Sequence, residues 1–468
     1  MLFNSLEFVF FFMIVIAIYY VRTQRQWQLS VLVISSLLFY GWAQPDLILL
    51  LAFSIFLNAF FCWRIVSQTD QKKRLTLTLM AVTLNVVSLL VFKYTTFFVD
   101  LLRTLTHLDI SSRRLVSSLT NLPIPLGISF FTLEGICLLV ESYRKPQPAT
   151  FKSFLRNTCT IMSFFPHLIA GPILRPEQFF PQVKTKRFSE IDWNFALSSL
   201  ILGYFLKCFV SDNLASYTTF VAGDGALLTI VIIMANALRL FADFAGYSYI
   251  AIGLSALLGY RLPQNFNWPF QSQSMSEFWT RWNMTVSFWF RDYAYIPLGG
   301  NRKGKIRTLI NTLLAMTLSG FWHGAGLRYL MWGFLHGLVI CFEVLLGLHK
   351  SRSKNRLLAT LRTLFTFSIF AFLWTLVIVP SHQLPTVWAQ LSTQDWNLRV
   401  YTIFFMLIYS LPVFFLHCFA NPATDLSLPA IQPASWMRFR LKECALAIML
   451  FMIVTSSGDP TTFVYFHF

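Results

Sequence analysis

The chain has 468 residues, of which 56% are hydrophobic and only 12% charged. That leaves too little polar surface for a soluble globule. The formal charge of +17 would suit nucleic acid, but the basic residues lie in short loops between apolar runs rather than on one soluble face, which is the pattern of membrane topology. The expected partner is the lipid bilayer, with no nucleic acid.

In chain order, apolar runs fall near 6–21, 28–43, 46–62, 75–93, 121–140, 154–170, 194–210, 226–241, 247–260, 307–322, 328–347, 357–379, 400–418 and 443–456. A bilayer core takes about 20 apolar residues per helix. The shorter runs are read as re-entrant or interfacial, and the expectation is an all-α polytopic membrane protein with about ten to twelve crossings. The start, Met1 to Glu7, lacks the basic n-region of a cleaved signal, so the first run reads as a retained span. No loop is long enough to fold alone. The whole chain, 1–468, reads as a single integral membrane domain, with N-terminal spans in 1–120, a core in 121–350 and C-terminal spans in 351–468.

Basic loops orient the chain. Arg22 and Arg25, then Arg64 with Lys72 to Arg74, then Arg144, Lys145 and Lys152, then Lys303, Lys305 and Arg307, then Lys350 through Arg362, and finally Arg438, Arg440 and Lys442 all read as cytoplasmic. The N-terminus, the turn at Gly41 to Asp46, the segment Pro380 to Arg399 and the terminal Phe468 then lie outside.

The runs on either side of Gly320-Phe321-Trp322-His323-Gly324-Ala325-Gly326 are flanked by basic loops at both outer ends, so they must go in and come back, with His323 near the apex. A glycine-rich break at membrane depth is tolerated only where protein or a water-filled cavity satisfies the freed backbone groups. His323 is therefore the leading functional candidate, because burying a titratable group in a membrane is expensive. His336 lies thirteen residues later, a rise of roughly 20 Å on an uninterrupted helix, and the two are not expected to share a metal. The seven cysteines stand singly without CxxC spacing and read as small core hydrophobes. HExxH, Walker, GxGxxG, GxSxG and HxxxxD patterns are all absent from the sequence, and no metal site is expected.

Upstream, Glu277 to Tyr293 mixes tryptophans, arginines and hydroxyls, which suits an interfacial or cavity-lining helix rather than a lipid-facing span. Arg291 and Asp292 read as an interfacial pair. Asp243, inside an apolar run, could line a tunnel, but the favoured reading is a structural pair with Arg239 or another base. Glu134 and Glu141 are seven apart, hence on nearly one helix face.

The run FWTRWNMTVSFWFRDYAYIPLGGNRKG at 278–304, followed by LSGFWHGAGLRYLMWGFLHG at 318–337, resembles the core of the membrane-bound O-acyltransferase family in its bacterial alginate O-acetyltransferase branch. Pro125 to Thr132, Phe165 to Ile173, Phe241 to Ser248 and Pro263 to Phe266 carry the resemblance further. It implies the family's fold, helices around a central funnel, with 121–350 as the catalytic core. It also implies that His323 is the essential histidine, and that the chain moves an acyl group from a donor to a hydroxyl. An imidazole can take the hydroxyl's proton as its oxygen attacks the acyl carbonyl, then return a proton to the leaving thiolate.

Asn283 stands forty positions before His323, where the branch commonly has histidine and some eukaryotic members of the wider family have asparagine. An amide can donate to a developing oxyanion but cannot act as a base. His336, Trp322, Asp243, Trp282 and Arg281 are the candidates for lining or supporting a substrate tunnel. No resident cofactor is implied, since acetyl coenzyme A or an acyl-carrier thioester would be a substrate. The resemblance further implies a bacterial inner membrane location, a cell-envelope or exported polysaccharide as acceptor, and a periplasmic acetyltransferase partner. The rival reading is a transporter or flippase that uses the same broken helices without covalent chemistry.

Overall fold

The computed structural model describes residues 1–107, 114–221, 223–348, 352–393, 399–419 and 436–463. Lys350 and Phe468, used above to orient the chain, lie outside the described residues. The described residues are helical, with no strand among them. They divide into two compact units, Met1–Ala196 with Leu254–Pro263, and Leu197–Gly253 with Gln264–Phe468, a division that cuts across the three stretches read from the sequence.

The first unit is built from α1 (Leu6–Val21), α2 (Arg25–Ala43), α3 (Ile48–Val66), α4 (Gln71–Leu89), α5 (Thr95–Thr106), α6 (Arg114–Thr120), α7 (Ile128–Arg144), α8 (Phe151–Ser163) and α9 (Pro176–Phe179). Side-chain caps start several of them: Ser5 accepts from the amide of Phe8, Asp70 from Lys72 and Thr150 from Ser153, satisfying donors that a helix start leaves open. Between α3 and α4, Asn58 and Asn85 exchange amide hydrogen bonds of 3.2 and 3.1 Å, the kind of polar contact that joins helices where water is scarce. The two acids of α7 differ in role. Glu134 is buried, 3.2 Å from Nδ1 of His167, and accepts from the amide of Leu174 at 3.1 Å. Glu141 pairs with Arg144 at the helix end.

The second unit follows from α10 (Trp193–Tyr204), which starts in the first, through α11 (Asp212–Tyr217), α12 (Ala226–Leu257), α13 (Met275–Trp279), α14 (Met284–Phe290), α15 (Lys305–His323), α16 (Leu327–Leu346), α17 (Arg356–Ile378), α18 (Leu384–Gln390), α19 (Val400–Phe419) and α20 (Trp436–Ser456). Two apolar runs that the sequence separates, 226–241 and 247–260, merge into the 32-residue α12. Gly246 does not break it. A Cβ there would lie 2.9 Å from both Gly203 O and Lys207 N, so this glycine serves close packing inside the second unit rather than a turn. The stretch 277–293, expected as one helix, is instead interrupted at Thr280 to Asn283 between α13 and α14.

Seven stretches of the described residues are long and apolar enough to cross a membrane: Pro45–Val66, Gln71–Thr106, Trp193–Tyr217, Ala226–Leu257, Leu327–Leu346, Arg356–Ile378 and Val400–Cys418. α15 has a span's length, but Lys305, Arg307, Asn311, Ser319 and its threonines keep its hydropathy below theirs. It is held in place by its partner. At Gly320 and Gly333 the backbones of α15 and α16 meet directly: a Cβ on Gly320 would lie 2.8 Å from Gly333 Cα, and one on Gly333 would lie 2.9 Å from Gly320 Cα. Such small-residue crossings let membrane helices pack closely.

Gly333→Val is expected to cost about 1–3 kcal/mol or more through overpacking, read as lost monodisperse protein in detergent. Gly326→Ala, whose nearest new neighbour would be Tyr329 at 3.5 Å in ordinary contact, is expected to be tolerated in the same assay.

Candidate active site

His323 is the last residue of α15, and the chain leaves the helix through extended glycines, Gly324 and Gly326, before α16 begins at Leu327. The residue is 3% exposed. It packs edge-on against Trp322 at 4.8 Å and Trp332 at 5.2 Å. Trp332 in turn meets His336, one helical turn later, at 4.7 Å. The thirteen-residue spacing that would separate the two histidines on a continuous helix is undone by the turn at 324–326, and a single indole now lies against both rings. Among the described residues, no group of three His, Cys, Asp or Glu side chains is arranged to hold a metal.

The other wall is α13 and the break that follows it. Trp279 lies 5.3 Å from His336 and 5.5 Å from Trp332. Trp282 is buried among Phe266, Phe278 and Phe370, and reaches Trp332 through Trp374. Asn283, 1% exposed, takes a left-handed backbone conformation with φ +42°, which asparagine tolerates better than most residues. That conformation turns the chain from the break into α14. Asn265 pins the turn: its carbonyl accepts from the amide of Met284 at 2.9 Å, its Oδ1 accepts from Thr285 at 2.6 Å, and its Nδ2 donates to Ser248 of α12 at 3.3 Å.

Polar atoms gather here without protein partners. Both side-chain atoms of Asn283, both ring nitrogens of His336, and Nε1 of Trp279, Trp282 and Trp332 are buried and make no hydrogen bond to protein. Buried polar groups are normally satisfied, and each exception calls for water, a ligand or a role in chemistry. A cavity of about 370 Å³ adjoins this cluster, lined by Trp279 and Thr280, by Ser287 and Phe290 of α14, by Arg291 and Asn301, and by Thr308, Thr312 and Ser319 of α15. Thr308, Thr312 and Ser319 lie along one face of the helix at spacings of four and seven, and His323 is the next position on that face.

Residues 21–379 match the model of the membrane-bound O-acyltransferase family, MBOAT. The chain belongs to that family. This MBOAT chain is 34% identical over 416 residues to the Pseudomonas aeruginosa protein named "Probable alginate O-acetylase AlgI", covering 85% of this chain and 76% of that one. It is 34% identical to the peptidoglycan O-acetyltransferase of Helicobacter pylori, over 66% of this chain and 63% of the relative. With the teichoic acid D-alanyltransferase of Bacillus subtilis it shares 30% identity over 53% of this chain and 67% of that one. It is a polytopic membrane enzyme of the acyltransferase class.

Not every candidate read from the MBOAT sequence joins the aromatic cluster. Asp243 pairs at 2.7 Å with Lys207, and Lys207 also holds Asp212 at 2.8 Å and both oxygens of Thr461. Arg281 pairs with Glu277 at 2.8 Å and donates to the carbonyl of Asn267, while Arg352 joins the same Glu277 at 3.4 Å. Arg291 and Asp292 form their pair at 2.6 Å. Trp332, Trp279 and Trp374 are central to the cluster. None of the three stands among the site candidates read from the sequence. The spacing of Trp332 and His336, four apart on one helix face, is the signal that could have found the first.

Asp243→Asn is expected to lower the yield of folded protein while leaving turnover per folded molecule at the wild-type value. Lys207→Met, which strands two buried acids, is expected to cost about 3–5 kcal/mol and to abolish stable expression. Size-exclusion profiles alongside activity per mole check both.

Proposed function

We propose that this acyltransferase moves an acyl group, acetyl by analogy with its relatives' names, from a cytoplasmic thioester to a hydroxyl of a cell-envelope or exported polysaccharide, directly or through a periplasmic partner, with His323 as general base. The observation that carries this reading is the buried aromatic cluster, with an unpartnered Asn283 amide and a mainly apolar cavity whose α15 wall carries the hydroxyls of Thr308, Thr312 and Ser319 on the helix face of His323.

The charge pattern supports a donor entering from the cytoplasmic side. Between Asp292 and Glu343 the sequence holds no acid, while Arg302, Lys303, Lys305 and Arg307 cluster in the loop before α15. Arg291 lines the cavity, so a phosphate-bearing donor, acetyl coenzyme A or an acyl-carrier thioester, would be drawn there. From Arg307 to His323 the helix rises about 24 Å, a distance suited to a long, thin thioester arm. In the transfer, the hydroxyl proton passes to the His323 imidazole as the oxygen attacks the acyl carbonyl. The Asn283 amide donates to the oxygen that gains charge. Collapse expels the thiolate, which recovers the proton from the imidazolium. The products are an ester and a thiol.

The same basic loops favour an orientation with both termini on the periplasmic side, and the bacterial relatives support an inner membrane location. An acceptor held outside would then receive the acyl group from a periplasmic acetyltransferase with its own nucleophile.

Radiolabelled acetyl transfer from acetyl coenzyme A to exported glycans tests the reading in membranes carrying matched amounts of each variant. His323→Ala and His323→Gln are expected to lower label by about 10²–10⁴-fold. Asn283→Gly, which keeps the left-handed turn and removes the amide, is expected to lower it by about 10²–10³-fold. Label equal in wild type and His323→Ala would overturn the catalytic assignment, and retention of function in His323→Gln would favour a carrier. Efficient polymer acetylation by the purified chain alone would remove the partner.

A further inference from the structure

The geometry points to Glu343 of α16 as a positioning residue for acyl transfer: its carboxylate sets where α13, and with it Trp279, Trp282 and Asn283, sits against His336. This inference rests on the active-site reading given above.

Glu343 is 9% exposed. One carboxylate oxygen accepts from the amide of Met275 at 2.7 Å and the other from the amide of Ser276 at 3.0 Å. These are the first two amides of α13, which the helix itself leaves open. Ser274 closes a third, accepting from the amide of Glu277 at 3.1 Å. α13 has only five residues, Met275–Trp279, too short to be stable on its own. Its place is therefore imposed by what it touches.

It touches α16 at two levels. At its start it is held by Glu343, and at its end the indole of Trp279 meets Trp332 and His336. Trp332, His336 and Glu343 stand at i, i+4 and i+11, one face of α16. A charged acceptor with two oxygens fixes α13 along that face as a neutral side chain could not, because carboxylate bonds to backbone amides are shorter and stronger than neutral ones. The break carrying Trp282 and Asn283 begins one residue after α13 ends, so a slip of α13 along α16 carries the Asn283 amide with it. Misplacement of a reacting group by about 1 Å costs on the order of a hundredfold in rate.

The test compares Glu343→Ala, Glu343→Gln and Glu343→Asp with wild type and His323→Ala, in the full-length protein at matched folded amounts. The glutamine variant keeps one acceptor but turns an NH2 group toward a backbone donor, and aspartate keeps both oxygens on a shorter stem. The first two are expected to lower kcat by about tenfold to a hundredfold with the apparent KM for acetyl coenzyme A unchanged, and Glu343→Asp is expected to recover part of the loss. In a Thr280→Cys background, maleimide labelling above that of the native cysteines is expected to speed up in Glu343→Ala, since the break is no longer held. Wild-type kcat in Glu343→Gln beside an inactive His323→Ala would overturn the positioning role, as would activity lost only in step with folded protein and with unchanged labelling. An active His323→Ala would instead defeat the active-site reading, and the labelling rate alone would still decide whether Glu343 holds the segment.

Discussion

The second unit depends on the backbone crossing of α15 and α16 at Gly320 and Gly333. No side chain can stand between the two helices there, so they approach as closely as main chains allow. Leaving α15 at His323 and re-entering α16 at Leu327 then requires the short extended turn of Gly324 to Gly326. A bulky residue at either crossing point would part the helices and separate His323 from Trp332. The imidazole's environment is thus set by an absence of side chains one turn away from it.

The molecule uses polar groups in two distinct ways. Where it needs rigidity, polar atoms are fully matched: Lys207 is enclosed by Asp212, Asp243 and Thr461, and Asn58 answers Asn85. Inside a membrane such matching is what makes burial affordable. In the aromatic cluster the opposite holds, with indole N–H groups, the Asn283 amide and the His336 nitrogens buried without protein partners. Stability alone would remove such atoms. Several of them face one another across a few residues of α13, α16 and the break after α13, beside a cavity that carries hydroxyls on its α15 wall, and that arrangement supports the acyl-transfer reading.

Class and family were legible in the chain. Its hydrophobic fraction and the regular return of apolar runs left only a helical membrane protein, because backbone polar groups in lipid must be satisfied within helices or closed barrels. Linked motifs from Pro125 to Gly337 pointed to the acyltransferase family, and His323 stood out because a glycine-flanked imidazole in an apolar hairpin has few structural excuses. Local pattern misled where glycine was ambiguous. Gly246 looks like a break yet lies within a continuous α12, since a glycine packed against a neighbour and a glycine at a turn are written with the same letter. Asp243 could be read as structural from its apolar setting, but its partner Lys207, thirty-six residues away, could not be picked from among the chain's cations.

What the sequence determined by itself was therefore everything that follows from composition, periodicity and ordered motifs: helices, a membrane and a family, with His323 as the leading candidate. Only the tertiary structure decided the company that histidine keeps. His323 and His336 are brought to one indole by a fold-back that cancels their separation along the helix. Trp279 and Asn283 arrive from a segment some forty residues upstream, held to α16 by Glu343. Such contacts depend on where helices cross and on which backbone amides remain open. Those are properties of paired elements in space, and no single stretch of chain carries them.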